Sequence, residues 1–241
     1  MRRFFYACRK KIYILDSMKP MPVYIFFEIL SFLASLTLFF QKSTPRYMKS
    51  FPFFLLVTVA VELIGWRIAK NRHILLWMYN IFAVVTFDFY LFILWNFINN
   101  RIVKRVILHS IWIYAILALT NLFFIQMNSF NNITFAFGCL IIVAFCIYYF
   151  FELFQLSRSI NLLKEQAFWI SSGLLFFHCC SFMLFSLTNL LSKSSAAILD
   201  NLRYLVELIL IMFYLLFTIA FLCRLDPKKI RQKRYNTIKT L

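Results

Sequence analysis

Residues 171–189 read SSGLLFFHCCSFMLFSLTN. Nineteen positions hold one histidine, His178, in a run with no Pro and a single Gly. A run of this length and polarity matches a hydrocarbon layer of roughly 30 Å, crossed by about 20 helical residues. If the segment crosses a membrane, an imidazole sits near the bilayer midplane, where each ionisable group needs an explanation.

The rest of the chain repeats the pattern. Of 241 residues 63% are hydrophobic and 15% charged, with a mean hydropathy of +0.79, more apolar surface than one soluble core of this length can bury. Seven apolar segments follow one another: Met21–Gln41, Phe51–Ala69, Ile74–Phe97, Val106–Ile125, Ile133–Gln155, Ala167–Leu191 and Leu202–Cys223. Short polar stretches separate them, among them KSTPRYMKS, NNRIVKR and LSRSINLLKEQ. No alternating strand pattern appears, so helices rather than a barrel satisfy the backbone in lipid. The expected architecture is an all-α integral membrane protein, a seven-transmembrane-helix bundle over residues 21–223. A basic N-terminal arm (1–20) and a basic tail (224–241) flank it.

Lys and Arg choose the orientation. The tail RLDPKKIRQKRYNTIKTL carries seven of them, and its side of the bundle adds Lys42, Arg46, Lys49, Arg101, Lys104, Arg105, Arg158 and Lys164. The opposing loops carry Arg67, Lys70, Arg72 and Lys193. This places the C-terminus in the cytoplasm and the N-terminus outside. The six positive residues of MRRFFYACRKKIYILDSMKP run against that assignment. Either a short basic arm is translocated because the other loops outweigh it, or translation starts at Met18 or Met21. Residues 4–15 are too short and too charged for an eighth span or a signal peptide.

The net charge of +17 does not signal nucleic acid, because the positive residues lie at membrane edges. They fit the lipid bilayer, through anionic headgroups, or a cytoplasmic partner. Cys8, Cys139, Cys146, Cys179, Cys180 and Cys223 fall in helices or in the arm and show no metal-ligand spacing. No structural disulfide, metal or cofactor is therefore expected.

Polar residues inside the segments carry the functional signal. Glu28, Glu62, Asn80, Asn121 and Glu207 each lie four to seven residues below the outer end of their segment. At 1.5 Å per residue that is within about 3–11 Å of the outer boundary, with Asn189 and Arg203 closer to the surface. Only Asp88 and His178 fall near the midplane. At 100° per residue Glu28, Ser31 and Ser35 share a stripe, as do Thr58, Glu62, Gly65 and Ala69. So do Ser171, His178, Ser181, Phe185 and Asn189, and again Arg203, Glu207, Tyr214 and Thr218. These seams are expected to face the bundle interior and Phe to face lipid.

Two readings of the seams compete. Ser, Thr and Asn commonly join helices by hydrogen bonds, and Arg203 can neutralise Glu207 one turn away. Alternatively Glu28, Glu62, Asn80, Asn189, Arg203 and Glu207 line an outward polar pocket for a small amphipathic ligand. Three acidic groups at one depth cannot all stay ionised and unpaired in a dry interior. At the midplane, Asp88 and His178 are expected either to pair across two helices as a buried switch, or to stand apart with His178 bonded to Ser or a backbone carbonyl. Glu152 reads as a snorkelling residue at the cytoplasmic end, and His73 as a loop residue.

Several seven-helix functions are excluded. No segment contains Lys, so a retinal Schiff base has no attachment point. The signature motifs and outer-loop disulfide of G-protein-coupled receptors are missing. In-segment histidines are His109 and His178, at different depths, which does not make a zinc hydrolase. Broken half-helices of the transporter kind are not seen.

Trp169–Ile170 opens the sixth segment, Gly173 follows early, and Thr188–Asn189 closes it; VELIG surrounds Glu62 and YNIF surrounds Asn80. In these features the chain resembles the multi-pass membrane sensor modules found with bacterial histidine kinases, especially in Bacteroidota. That resemblance implies a bacterial inner-membrane sensor. In fused forms a kinase follows the last helix; here an 18-residue basic tail does, so signalling passes to a separate partner such as a histidine kinase. The function expected is a non-enzymatic sensor or receptor-like subunit. The alternatives are a structural or assembly subunit, an intramembrane lipid-modifying enzyme, or a small transporter.

Overall fold

The computed structural model describes residues 21–40, 44–68, 71–125, 131–155, 162–186 and 196–223, without the side chains of 72, 124–125, 185–186, 196–201 and 203. Seven helices account for nearly all of them: α1 Val23–Phe40, α2 Phe51–Arg67, α3 Arg72–Phe97, α4 Arg101–Thr120, α5 Asn132–Gln155, α6 Gln166–Ser186 and α7 Ala196–Leu222. A 3₁₀ turn, Arg46–Ser50, leads into α2, and a π-helical turn, Asn121–Ile125, extends α4. No strand occurs among the described residues. Every one of the seven is long and apolar enough to cross a membrane. The protein is a multi-pass membrane helical bundle.

Local chemistry sets the helix limits. Pro22 stands just before α1, and Pro52 occupies the first turn of α2, where a missing N–H costs nothing. None of the described prolines falls in a helix interior. Asn100 caps α4: its Oδ1 accepts from Ile102 N at 2.8 Å. The largest differences from the expected segment limits are at two helix starts. The structure begins α4 at Arg101 and α7 at Ala196, because charged and small residues beyond the apolar core continue the backbone ladder. His73, read as a loop residue, lies in the first turn of α3.

The helices alternate in direction. One end, the carboxylate end, gathers the N-termini of α1, α3, α5 and α7 with the C-termini of α2 and α4, as the cross-links there require. The opposite, basic end joins the C-termini of α1 and α7 through Thr37 and Phe221 O, and those of α3 and α5 through Asn99 and Glu152. Packing runs around a ring: α1 against α2 and α7, α7 against α6, α6 against α5, α5 against α3, and α3 against α2. Helix α4 lies outside the ring on α3 and α5 and is the least buried span. The sparsest contact in the ring is the α2–α3 seam.

Aromatic rings fill the interior. Phe51 and Phe54 of α2 meet Phe89 of α3 with centroids 5.2 and 4.0 Å apart, and Phe217 and Phe221 of α7 close on Phe51. Aromatic pairs of this kind add to area burial. The described members of the polar seams point inward: Glu28, Ser31, Ser35, Thr58, Glu62, Ser171, His178, Ser181, Glu207, Tyr214 and Thr218 are all buried. Phe26, Phe40, Phe53, Phe151 and Phe154 face outward, but Phe51, Phe54, Phe87, Phe97, Phe135, Phe177, Phe213, Phe217 and Phe221 are buried, so the expectation that Phe faces lipid fails for the rings that fill the space between helices. Several hydroxyls bond to the carbonyl a turn earlier in their own helix, as Thr58 does to Phe54 O and Thr218 to Tyr214 O. This satisfies a buried hydroxyl without a partner helix.

A candidate intramembrane pocket

Glu62 occupies the last turns of α2, three residues before Gly65 on the same face. A Cβ at Gly65 would collide with the Tyr79 hydroxyl of α3. The glycine therefore lets Tyr79 lie over α2 and reach the carboxylate. Tyr79 donates to Glu62 Oε2 at 3.1 Å, and Tyr24 of α1 donates to the same oxygen at 2.8 Å. One carboxyl oxygen thus joins three helices, and the Tyr79 bond is a polar tie across the sparse α2–α3 seam.

Glu28 sits one turn beyond Tyr24 on α1 and has no solvent exposure. Neither of its oxygens makes a geometrically sound hydrogen bond among the described residues, although the Tyr214 hydroxyl lies close by. Glu62, Tyr24, Tyr90 and Tyr214 all lie within electrostatic reach of Glu28. The cluster holds two carboxyl groups and four tyrosines, Tyr24, Tyr79, Tyr90 and Tyr214.

A cavity opens beside this cluster, between α2, α3, α5, α6 and α7. Its polar lining comes from Thr58, Glu62, Tyr79, Thr86, Tyr90, His178 and Tyr214, and its apolar lining mainly from Phe82, Phe87, Phe135, Phe177 and Phe213. The cavity has a volume of about 50 Å³. On the scale on which an apolar cavity of about 150 Å³ takes benzene, that admits a group of two or three non-hydrogen atoms. The described lining contains no Lys or Arg.

His178 lies in the cavity wall, buried between Phe87, Tyr90 and Phe177 with ring centroids 5.1–5.7 Å away. Its Nδ1 is 3.0 Å from Leu174 O. A carbonyl oxygen only accepts, so Nδ1 carries the hydrogen, and in the neutral ring Nε2 is the acceptor. Asp88 takes no part. Phe87 and Tyr90, three residues apart, present one face of α3 to His178, whereas Asp88 lies 100° round the helix from Phe87. Its neighbour is Tyr114 of α4. The expected Asp88–His178 pair is therefore not formed, and the carbonyl-bonded alternative for His178 is.

The remaining site candidates separate. Glu207 Oε1 accepts from Val23 N at 2.9 Å and so caps the N-terminus of α1 from α7. Asn80 Oδ1 accepts from Asn131 N at 3.2 Å and holds the start of α5. Asn121 Nδ2 donates to Thr134 Oγ1 at 2.6 Å, pinning the π-helical turn to α5. Neither Asn80 nor Glu207 lines the cavity. Asn189 and the side chain of Arg203 lie outside the described residues. At the basic end, Glu152 accepts from Asn99 N at 3.0 Å, which fixes the residues that lead into α4.

Tyr24, Tyr79 and Tyr90 were not singled out by polarity, because tyrosine reads as aromatic filling. The available signal was that a buried phenol needs a partner for its hydroxyl. Tyr24 precedes Glu28 by four residues, and Tyr79 adjoins Asn80. No group of three or more His, Cys, Asp or Glu able to hold a metal occurs among the described residues. No family model, curated protein or solved structure matches the chain.

Proposed function

We propose that this protein is a non-enzymatic membrane sensor, a receptor-like subunit that binds a small amphipathic ligand in the intramembrane cavity. The observation that carries the reading is Glu62: a buried carboxyl group facing an aromatic cavity, tied to α3 by the Tyr79 hydroxyl across the α2–α3 seam. A ligand that takes over the Glu62 oxygen competes with Tyr79. It then favours whichever arrangement of α2 and α3 leaves the carboxylate open, and only such differential binding shifts an equilibrium.

The path outward is short. Leu210, Phe213 and Tyr214 of α7 line the cavity, and the same helix continues to Leu222 at the basic end. In this proposal the basic end faces the cytoplasm, as Arg46, Lys49, Arg101, Lys104 and Arg105 favour. The membrane is a bacterial inner membrane, and the tail reports to a separate partner such as a histidine kinase. That partner rests on the resemblance in VELIG, YNIF and the sixth segment.

A second reading has its own support. Glu207 and Asn80, two of the expected ligand residues, hold helix starts, as a structural or assembly subunit would use them. Native mass spectrometry of the protein purified from its own membrane separates the two. The sensor reading expects a bound small molecule in the wild type that is lost when Ala83→Phe fills the cavity in a folded protein. An empty cavity in both proteins leaves the structural reading standing.

A further inference from the structure

A second surface lies at the basic end, where α3 hands over to the outer helix α4. We infer that this corner binds one anionic phospholipid, its phosphate among Arg101, Lys104 and Arg105 and its acyl chains along the exposed flank of α4.

The turn between the two helices is held from within. Glu152 of α5 directs both oxygens at Asn99 N, 3.0 Å away, and Asn100 Nδ2 donates to the Tyr148 hydroxyl at 3.0 Å. Asn100 Oδ1 accepts from Ile102 N at 2.8 Å. These bonds engage the backbone of the turn and fix where α4 starts. The cations of its first turns are thereby presented at a set position.

Three of them share the first five residues of α4, and the side chains of Arg101 and Arg105 are exposed. At 100° per residue Lys104, Arg101 and Arg105 span an arc of about 100°, so they form one patch. The Lys104 ammonium stands over the Trp95 ring of α3, 4.8 Å from its centroid. The quadrupole of the ring attracts it, which draws the patch against α3. The acid bonded into this turn, Glu152, meets the backbone on the α5 side and adds one negative charge against three positive ones.

The surface beneath the patch is apolar. Phe92, one turn before Trp95 on α3, and Leu108, one turn after Lys104 on α4, are both exposed. Helix α4 packs only on α3 and α5 and is the least buried span, so its other flank meets hydrocarbon.

One kind of molecule answers both surfaces. A soluble anion would meet the cations and leave the apolar flank uncovered. A zwitterionic lipid would cover the flank but bring an ammonium toward three cations. A phospholipid of net negative charge supplies phosphate oxygens that a guanidinium binds two at a time. Trp95 then lies at headgroup level, where tryptophan is favoured.

The test titrates full-length protein in detergent with dioleoyl phosphatidylglycerol or dioleoyl phosphatidylcholine and counts bound lipid by native mass spectrometry. The first phosphatidylglycerol should bind about tenfold tighter than phosphatidylcholine, or better. Arg101→Gln and Arg105→Gln should each lower that preference about fivefold, the worth of one basic residue beside an anionic headgroup. Arg67→Gln, at an exposed site on the carboxylate end, should leave it unchanged. Soluble glycerol phosphate should not displace the lipid. A wild-type measurement stands beside the variants. In phosphatidylcholine vesicles, phosphatidylglycerol with brominated chains should quench tryptophan fluorescence more than brominated phosphatidylcholine at the same mole fraction.

Equal binding or equal quenching by the two lipids overturns the proposal. So does a preference that survives both arginine substitutions, or one that falls as much in Arg67→Gln. Displacement by glycerol phosphate overturns the lipid and makes the patch a site for soluble anions. Each of these outcomes leaves the cavity reading untouched.

Discussion

The two faces of α3 treat an acidic neighbour in opposite ways. On the cavity face, Tyr79 reaches across to Glu62, and Tyr24 joins it from α1. On the face turned to α4, Asp88 has a buried Oδ1 and no hydrogen bond among the described residues. Both acids sit in apolar helices, and polarity along the sequence ranks them alike. The structure separates them by what is bonded: two phenol hydroxyls donate to Glu62, whereas the Tyr114 phenol of the outer helix lies near Asp88 without bonding it. A carboxyl group in a membrane bundle is thus defined by the donors bonded to it.

The largest effect should follow from removing the bonded acid. Glu62→Ala leaves two buried phenol hydroxyls without their acceptor and unties α2 from α1 and α3. Each buried hydroxyl left without its acceptor costs about 1–3 kcal/mol. Thermal unfolding in detergent should show the midpoint fall by more than for any single substitution at Asp88. A midpoint within a degree of wild type would mean that Glu62 does not hold the ring together.

Gly65→Ala attacks the same tie from beneath. The added methyl group meets the Tyr79 hydroxyl, so Tyr79 must move off Glu62 or α2 must move away from α3. Overpacking of this kind costs about 1–3 kcal/mol. The distinguishing readout is a double mutant with Tyr79→Phe. If the glycine acts through the tyrosine, the second substitution adds much less than it costs alone. Full additivity would reduce Gly65 to a packing residue.

These two substitutions also mark where sequence reading stopped. The seven spans, the inward seams and the cluster of acids near one end were legible, since each rests on a period of 3.6 and on the cost of polarity in lipid. Glu28 and Glu62 were identified by that route and do meet beside a cavity. Glu207 and Asn80 were placed with them because depth and face were the only coordinates available. Their partners are the backbone amides of Val23 and Asn131, and a backbone donor leaves no mark in the side-chain pattern. Asp88 and His178 share a depth but not an azimuth. Relative rotation of α3 and α6 depends on how Phe87, Tyr90 and Phe177 pack around His178, and a single helix's periodicity cannot contain it.

On the other face of α3 the sign should reverse. Asp88→Leu removes a partly buried carboxyl group with no hydrogen bond and replaces it with a side chain suited to the contact with α4. The gain should be on the order of 1 kcal/mol, the scale of a relieved unsatisfied group. A rise in the unfolding midpoint, set against the fall for Glu62→Ala, would establish the contrast between the faces. A fall as large as that of Glu62→Ala would show that Asp88 has a strong partner after all.

The smallest expected effect is an absence of coupling, and it bears on the imidazole in SSGLLFFHCCSFMLFSLTN. His178→Gln should destabilise the bundle by loosening the ring contacts with Phe87, Tyr90 and Phe177, whatever Asp88 does. Because Asp88 faces α4, combining His178→Gln with Asp88→Leu should give the sum of the two single effects within about 0.5 kcal/mol. A coupling energy above about 1 kcal/mol would mean that the two side chains reach each other around α3. The two faces would then form one site, and a buried switch built on that pair would again account for His178. Additivity leaves His178 to the cavity, with its proton toward Leu174 and its free lone pair among the aromatic rings.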